Sequence, residues 1–265
     1  MCPTPIGNLE DITLRVLSAL RDADVVACED TRRTRVLLDR YGVKARLVSY
    51  HEHNERARAA ELVEKMRGGA VVALVSDAGM PLVSDPGYLL VRACVAAGLP
   101  VEVLPGPSAA ITALVASGLP ADEWHFHGFL PRKKGELREV LAGGEGTLVA
   151  FESPRRLPAT LALLAELDPD REVAVCRELT KVHEEIVRGT SSELAARYAE
   201  GPPKGEIVLV IAPPAAPSSE LPDHGAVAAL RRLVDAGAHP RKAASVVASL
   251  TGTSANALYR ALTSE

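Results

Sequence analysis

The chain has 265 residues, 47% of them hydrophobic and 24% charged, with a formal net charge of −4. That supports more than one packed core, contains no stretch long and apolar enough to span a bilayer, and disfavours a general nucleic-acid binder, which is usually basic. The start, MCPTPIGNLED, has neither the basic region nor the apolar region of a signal peptide, so a cytoplasmic location is expected. Cys2, Cys28, Cys94 and Cys176 are scattered without Cys-x-x-Cys or histidine spacing, which argues against a zinc site and a disulfide framework. From His224 onward, Arg231, Arg232, Arg241, Lys242 and Arg260 face only Asp235 and Glu265, a local charge of +3 on a body of −7.

In chain order, DITLRVLSALRDA (11–23) reads as a helix starting on an acid, with Ile12, Val16, Leu17 and Leu20 on one face. DVVACED (24–30) reads as a strand, and TRRTRVLLDRYG (31–42) as a helix capped at Asp30 or Thr31 and closed by Gly42. ARLVSY (45–50) is a strand, NERARAAELVEKMRGG (54–69) a helix, and AVVALVS (70–76) and PVEVLPG (100–106) are strands. This βα alternation predicts a mainly parallel sheet with helices on both faces. Later, TLVAFES (147–153), EVAVCREL (172–179) and GEIVLVIA (205–212) read as strands, and HEEIVRG (183–189) follows closely enough to form a hairpin. A mixed sheet is therefore expected beyond Gly118–Pro120. APPAAPSSELPDHG (212–225) reads as a linker, and three short helical segments follow it in a helix-turn-helix-like arrangement. The expected divisions are 1–117, 118–212, a linker at 213–225, and 226–265.

No Gly-x-Gly-x-x-Gly, P-loop or Gly-x-Ser-x-Gly motif is present. Three Gly/Pro-rich loops stand instead at one side of the first sheet: PTPIGN (3–8), SDAGMPLVSDPG (76–87) and LPGPSAA (104–110). In open α/β sheets that is where ligands bind, although turn chemistry alone also produces such residues. The phrase Val-Ser-Asp-x-Gly occurs twice, at 75–79 and 83–87. The first copy is read as a ligand loop. The second is read as a helix start, with Asp85 as N-cap and Pro86 in the first helical position.

The ordered set TPIGNLEDITLR (4–15), EDTRRTRVLL (29–38), SYHEHNE (49–55), SDAGMPLVSDPGYLLV (76–91), LPGPSAAITAL (104–114), SGLP (117–120), FHGFLPRKKGELR (126–138), FESPRRL (151–157), RELTKVHEEIVRG (177–189) and KGEIVLVI (204–211) closely resembles the ribosomal RNA small subunit methyltransferase I family. The resemblance covers nearly the whole chain. It implies a tetrapyrrole-methylase-like fold of two α/β domains, with a parallel sheet in the first and a mixed sheet in the second, plus the small C-terminal helical module. It also implies S-adenosylmethionine as cofactor, a homodimer, and 2′-O-methylation of a cytidine in the decoding region of 16S rRNA in the small ribosomal subunit. The family usually has a full apolar strand before TPIGN, where this chain has Met1, Cys2 and Pro3. A misplaced start is the expected explanation, with a central strand left short of a partner.

For the cofactor the resemblance points to Pro5, to Asp77, Ala78, Gly79, Met80, Val83 and Ser84, and to Pro107 and Ser108. In the second domain it points to Phe151, Glu152 and Ser153, and to Gly205, Glu206 and Val208. Asp77 can meet a cationic amino group or simply structure its loop. Candidates for a base are Glu29, Asp30 and His53, with helix capping as the alternative for the acids. His51 and His53 lack a third ligand, so no metal is expected. For RNA, the candidates are Arg32 and Arg33; Arg132, Lys133 and Lys134; Arg155 and Arg156; and Arg241 and Lys242. Such clusters are also ordinary solvated surface. Two other functions remain open at this stage: methylation of a tetrapyrrole small molecule, and a regulator that binds nucleic acid through its C-terminal helices.

Overall fold

The computed structural model describes residues 1–214, 224–251 and 255–263. They form two compact units, Met1–Ala212 and Pro213–Glu265. The expected linker lies largely outside the described residues.

The first unit holds two sheets. β1 (Val25–Cys28) runs between β2 (Leu47–Ser49) and β3 (Val72–Val75), and both pairings are parallel. All four β1 residues are buried, as a centre strand covered on both faces requires. Val16, Leu17 and Leu20 of α1 (Leu14–Asp22) and Leu37 and Leu38 of α2 (Thr31–Arg40) cover one face. Leu62 and Val63 of α3 (Glu55–Arg67) and Leu90 and Cys94 of α4 (Tyr88–Ala96) cover the other.

The second sheet has the order β4 (Trp124–Phe129), β5 (Thr147–Glu152), β8 (Ile207–Ile211), β6 (Glu172–Arg177), β7 (Glu185–Thr190). β4 and β5 are parallel and the other pairs antiparallel, so the sheet is mixed, and β6–β7 is the expected hairpin. α6 (Lys134–Ala142), α7 (Leu157–Leu167) and α8 (Ser191–Tyr198) contribute to the core on one face. α5 (Ala109–Ser117) packs Ala110, Ala113 and Leu114 on the other, beside Val149, Ala174 and Val208. So α5, which the sequence reading assigned to the first half, covers the second sheet.

Several local expectations change. α1 starts three residues later than its acid, because Thr13 Oγ1 accepts from the Val16 N–H, while Asn8 caps a separate 3-10 turn at Leu9–Asp11. Residues 100–106 form no strand. Their neighbour is the short run Met1–Cys2, which supplies only the Leu104 N–H to Met1 O bond (3.1 Å) and the Met1 ammonium to Glu102 O bond (2.8 Å). The same run still pairs with β3 through the Cys2 N–H and Leu74 O, 2.9 Å. β4 was not anticipated: its two histidines and Gly128 obscure the strand pattern, and pairing with β5 creates it.

The segment 83–87 departs most from its expected form. α4 begins at Tyr88, after Gly87, and Asp85 is not its cap. The free N–H groups of Gly87 and Leu89 donate instead to Glu55 Oε1 of α3, at 3.0 and 3.2 Å. Gly87 has φ +140, and a Cβ there would lie 2.5 Å from Leu82 Cδ1 and 2.8 Å from Leu74 Cδ2. With Leu82 (φ 74) and Ser84 (φ 65) also left-handed, the loop follows a path that ordinary helix capping would not produce.

In the second unit, Leu230 of α9 (His224–Asp235), Ala244 and Val247 of α10 (Pro240–Thr251) and Leu258 of α11 (Ala255–Thr263) form a small core. The Arg241 guanidinium lies 5.6 Å from the Tyr259 ring centroid. Among the described residues no helix is long and apolar enough to cross a membrane.

Gly87→Ala combines a φ reserved for glycine with two side-chain overlaps. It is expected to lower stability by about 2–4 kcal/mol, read as a reduced midpoint in urea unfolding with an unchanged slope.

Candidate active site

The carboxyl ends of β1 and β3 and the loops beside β5 and β8 converge on a cavity of about 410 Å³, within the range of small-molecule sites. Of the residues proposed for the cofactor, Asp77, Ala78, Gly79, Met80, Val83, Ser84, Ser108, Phe151, Glu152, Ser153, Gly205, Glu206 and Val208 line it. Pro5 and Pro107 do not; Pro5 lines an adjoining hollow with Thr4, Arg33 and Lys181. Glu29 reaches the cavity, whereas Asp30 and His53 line a separate, open hollow with Ser49 and His51. Asp85, Arg33 and Phe129 also line the cavity, and none had been read as cofactor-contacting.

The turn after β3 is pinned from outside its own strand. Thr4 N–H donates to Gly79 O (2.8 Å), and Gly79 N–H donates back to Thr4 O (2.9 Å). Thr4 Oγ1 donates to Ser76 O at 3.0 Å, and Ser76 Oγ donates to Gly79 O at 3.0 Å. These bonds fix Ser76–Gly79 against TPIGN. Ser108 is a true N-cap: its Oγ accepts from the Ile111 N–H at the start of α5.

The acids in and around the cavity differ in what occupies them. Asp77 Oδ1 accepts the Asp30 N–H at 3.0 Å, and Oδ2 lies 3.4 Å from Arg33 Nη1. Asp77 thus structures its loop, with Arg33 as its cation. Asp30 caps α2 and also holds the Arg32 side chain; hydrogen bonds from the Arg32 side chain and backbone draw its carboxyl down to about 2. An acid so fully engaged is a poor proton acceptor near neutrality. Glu206 pairs with Lys181 at 2.7 Å.

Glu29 and Asp85 take part in no ion pair among the described residues. Burial, then the nearby Asp77 charge, raises Glu29; Arg33 opposes the shift. Burial, then the charge of Glu29, lifts Asp85 to about 6.

Phe129, Phe151 and Val208 add apolar lining. Phe126 and Phe129 meet the Phe151 ring edge-on at 5.0 and 5.4 Å. Phe126 belongs to the core on the α5 face, whereas Phe129 is 65% exposed on the cavity wall.

The basic clusters fall into three groups. Arg32 is tied to Asp30, Arg33 to Asp77, and Lys133 to Glu136 (2.9 Å). Arg132, Lys134, Arg155, Arg241 and Lys242 are exposed. Arg156 turns inward: its guanidinium donates to Leu130 O (3.0 Å) and Pro131 O, and lies 3.5 Å from the carboxylate of Glu152, whose side chain is fully buried. Glu152 also accepts from Thr160 Oγ1 at 2.7 Å and from the Ser153 N–H. The pair fixes the wall that carries Phe151.

The profile of the tetrapyrrole (corrin/porphyrin) methylases matches residues 2–195. A ribosomal RNA small subunit methyltransferase I of Mesorhizobium japonicum is 50% identical over 264 residues, covering 98% of this chain and 89% of its own. The chain belongs to the ribosomal RNA small subunit methyltransferase I family. Its fold agrees with that family's superfamily. A uroporphyrin-III-C-methyltransferase structure from Thermus thermophilus aligns with a TM-score of 0.55 at 26% identity, covering 79% of this chain and 91% of that one. A structure of the enzyme from the same organism, complexed with S-adenyl homocysteine, aligns at 0.54 and 24%, covering 79% and 94%. The expected fold is therefore the observed one: a parallel-sheet α/β half and a mixed-sheet α/β half of a methyltransferase. No group of His, Cys, Asp or Glu suited to a metal occurs among the described residues.

Sequence reasoning missed Asp85 because Asp-Pro-Gly before an apolar run also reads as a cap. The acid at Glu55, 30 residues earlier, was the competing signal, but only tertiary contact reveals it.

Arg156→Ala would leave a buried carboxylate without its cation. Since Arg156 is itself partly exposed, the loss is expected to be about 2–3 kcal/mol in chemical denaturation. A variant with wild-type stability and weakened RNA capture would instead place Arg156 on the RNA-binding surface.

Proposed function

We propose that this chain transfers the methyl group of S-adenosylmethionine to the ribose 2′-hydroxyl of a cytidine in the decoding region of 16S rRNA. It would act in the cytoplasm as a homodimer on the small ribosomal subunit. The observation that carries the reading is the cavity itself, lined by Glu29, Asp77 and Asp85 and by Phe129, Phe151 and Val208, in a chain 50% identical to a named small-subunit rRNA methyltransferase. The porphyrin-methylating structures share the fold at only 26% identity or below, which favours RNA over a tetrapyrrole.

The residues fit the cofactor. Glu29, a carboxylate with no ion-pair partner, suits a ligand that carries cationic groups, an ammonium and a sulfonium. Phe151 and Val208 offer an apolar wall to an adenine ring, and the backbone of Gly79 and Gly205 allows close approach. When bound, the cofactor supplies an activated methyl group. The protein's part is to hold the acceptor hydroxyl in line and to exclude water, and such positioning can supply a large share of the rate. Of the three proposed bases, Glu29 is the one that lines the cavity. Asp77 acts through the loop it ties to Asp30 and Arg33.

RNA capture is assigned to the exposed bases Arg132, Lys134, Arg155, Arg241 and Lys242, with Arg32, Arg33 and Lys133 able to exchange their acidic partners for phosphate. The functional division follows the chain: cofactor loops mainly in 1–117, the aromatic wall and Lys133–Lys134 in 118–212, and an RNA-docking module at 226–265 beyond the linker 213–225.

The test is transfer of tritium from labelled cofactor to small subunits lacking the modification, followed by digestion to nucleosides. Label is expected on the cytidine ribose; label on a base would overturn the reading. Asp77→Ala is expected to weaken cofactor binding about tenfold in calorimetry while the fold persists. The double change Lys133→Ala, Lys134→Ala should weaken capture of small subunits several-fold, more so at low salt, and leave cofactor affinity unchanged.

A further inference from the structure

Two carboxylates in the cavity have no cation of their own, and they do not face the same surroundings. Glu29 stands at the end of β1, borders both the cavity and the open hollow, and has Arg33 and His51 near it. Asp85 lines the cavity but not the open hollow. The charged or polar groups that act on it are Glu29 of the same cavity, Asp77 on its own loop, and the Ser76 hydroxyl at the end of β3. That hydroxyl also faces Gly79 O at 3.0 Å.

The loop places Asp85 there by force of packing. Left-handed Leu82 and Ser84 and the Gly87 turn carry the chain away from a helix start, while Leu82 is held against the core of the first sheet. Glu55 caps α4 in its stead. Asp85 is thus an acid released from a structural duty that its sequence context would give it.

Resting on the reading of the site as a 2′-O-methyltransferase, we propose that Asp85 accepts the proton of the substrate hydroxyl and that Glu29 tunes it. As the ribose oxygen forms its bond to the methyl carbon, the carbon–sulfur bond breaks and its electron pair stays on sulfur. The hydroxyl proton passes to the Asp85 carboxylate, and from there to solvent. Glu29 keeps its charge beside the cationic cofactor and, by repulsion, makes Asp85 a stronger base than an ordinary aspartate. Burial works in the same direction, bringing Asp85 to about 6, where it is ionised at neutral pH yet basic enough to take a proton.

The sign follows. Turnover of the wild type should fall tenfold per pH unit below about 6, as Asp85 becomes protonated. Asp85→Asn should lower kcat about 100-fold with cofactor affinity within about threefold of wild type, and should abolish that acidic limb. Glu29→Gln should keep the limb but move it to lower pH, because the repelling charge is gone. A readout independent of turnover is the infrared carbonyl stretch of a protonated carboxyl, followed by pH titration of the wild type and of Glu29→Gln. A band titrating near 6 should persist in Glu29→Gln with a lower midpoint; its disappearance there would assign the titration to Glu29 and overturn the proposal. An Asp85→Asn enzyme that turns over at the wild-type rate, while the wild type labels the ribose, would overturn this inference alone. A wild type that labels no ribose would overturn the underlying reading and this inference with it.

Discussion

The reciprocal hydrogen bonds between Thr4 and Gly79, 2.8 and 2.9 Å, tie the first loop of the chain to the turn that leaves β3. The rest of the site depends on that tie. It closes the Ser76–Gly79 turn, with Thr4 Oγ1 on Ser76 O and Ser76 Oγ on Gly79 O. The turn in turn sets Asp77 between the Asp30 N–H and Arg33. Ile6, two residues on from Thr4, packs with α5 and the second sheet, and Asn8 N–H donates to Thr180 Oγ1. One short segment thereby links both sheets at the mouth of the cavity.

Charge is distributed with the same economy of parts. Asp30, Asp77, Glu152 and Glu206 each have a basic partner and act as fasteners. A cationic partner holds such a carboxylate in place, and burial without one makes a carboxylate a better proton acceptor. Glu29 and Asp85 belong to the second kind, and both line the cavity. The basic residues divide likewise: Arg156 braces the wall behind Phe151, while Arg132, Lys134 and Arg155 remain open to solvent.

Much of this was legible beforehand. The apolar runs at 25–28, 72–75, 172–177 and 207–211 are buried strands, and α1 hides the face that its spacing marked out. The loop quoted from the resemblance lines the cavity at Asp77, Ala78, Gly79, Met80, Val83 and Ser84. Other features were legible but passed over: Thr190-Ser-Ser-Glu193, which forms a reciprocal capping box at the start of α8, announces that helix in four residues. β4 was obscured because an edge strand needs no strict alternation when a neighbour such as β5 supplies its register.

What the sequence by itself determined is the family, the βα order, the apolar faces and the identity of the loops that line the cavity. These depend on residue type and near-neighbour spacing, which the chain carries locally. What only the tertiary structure decided is which acids are spent and which are free. Asp30, Asp77 and Asp85 look alike in sequence, each an acid beside a turn. Arg32 takes the first, Arg33 and the Asp30 N–H take the second, and Glu55, brought in from α3, relieves the third of its cap. The reason is physical: a carboxylate's role is set by the charges and donors within a few ångströms of it, and those arrive from distant parts of the chain.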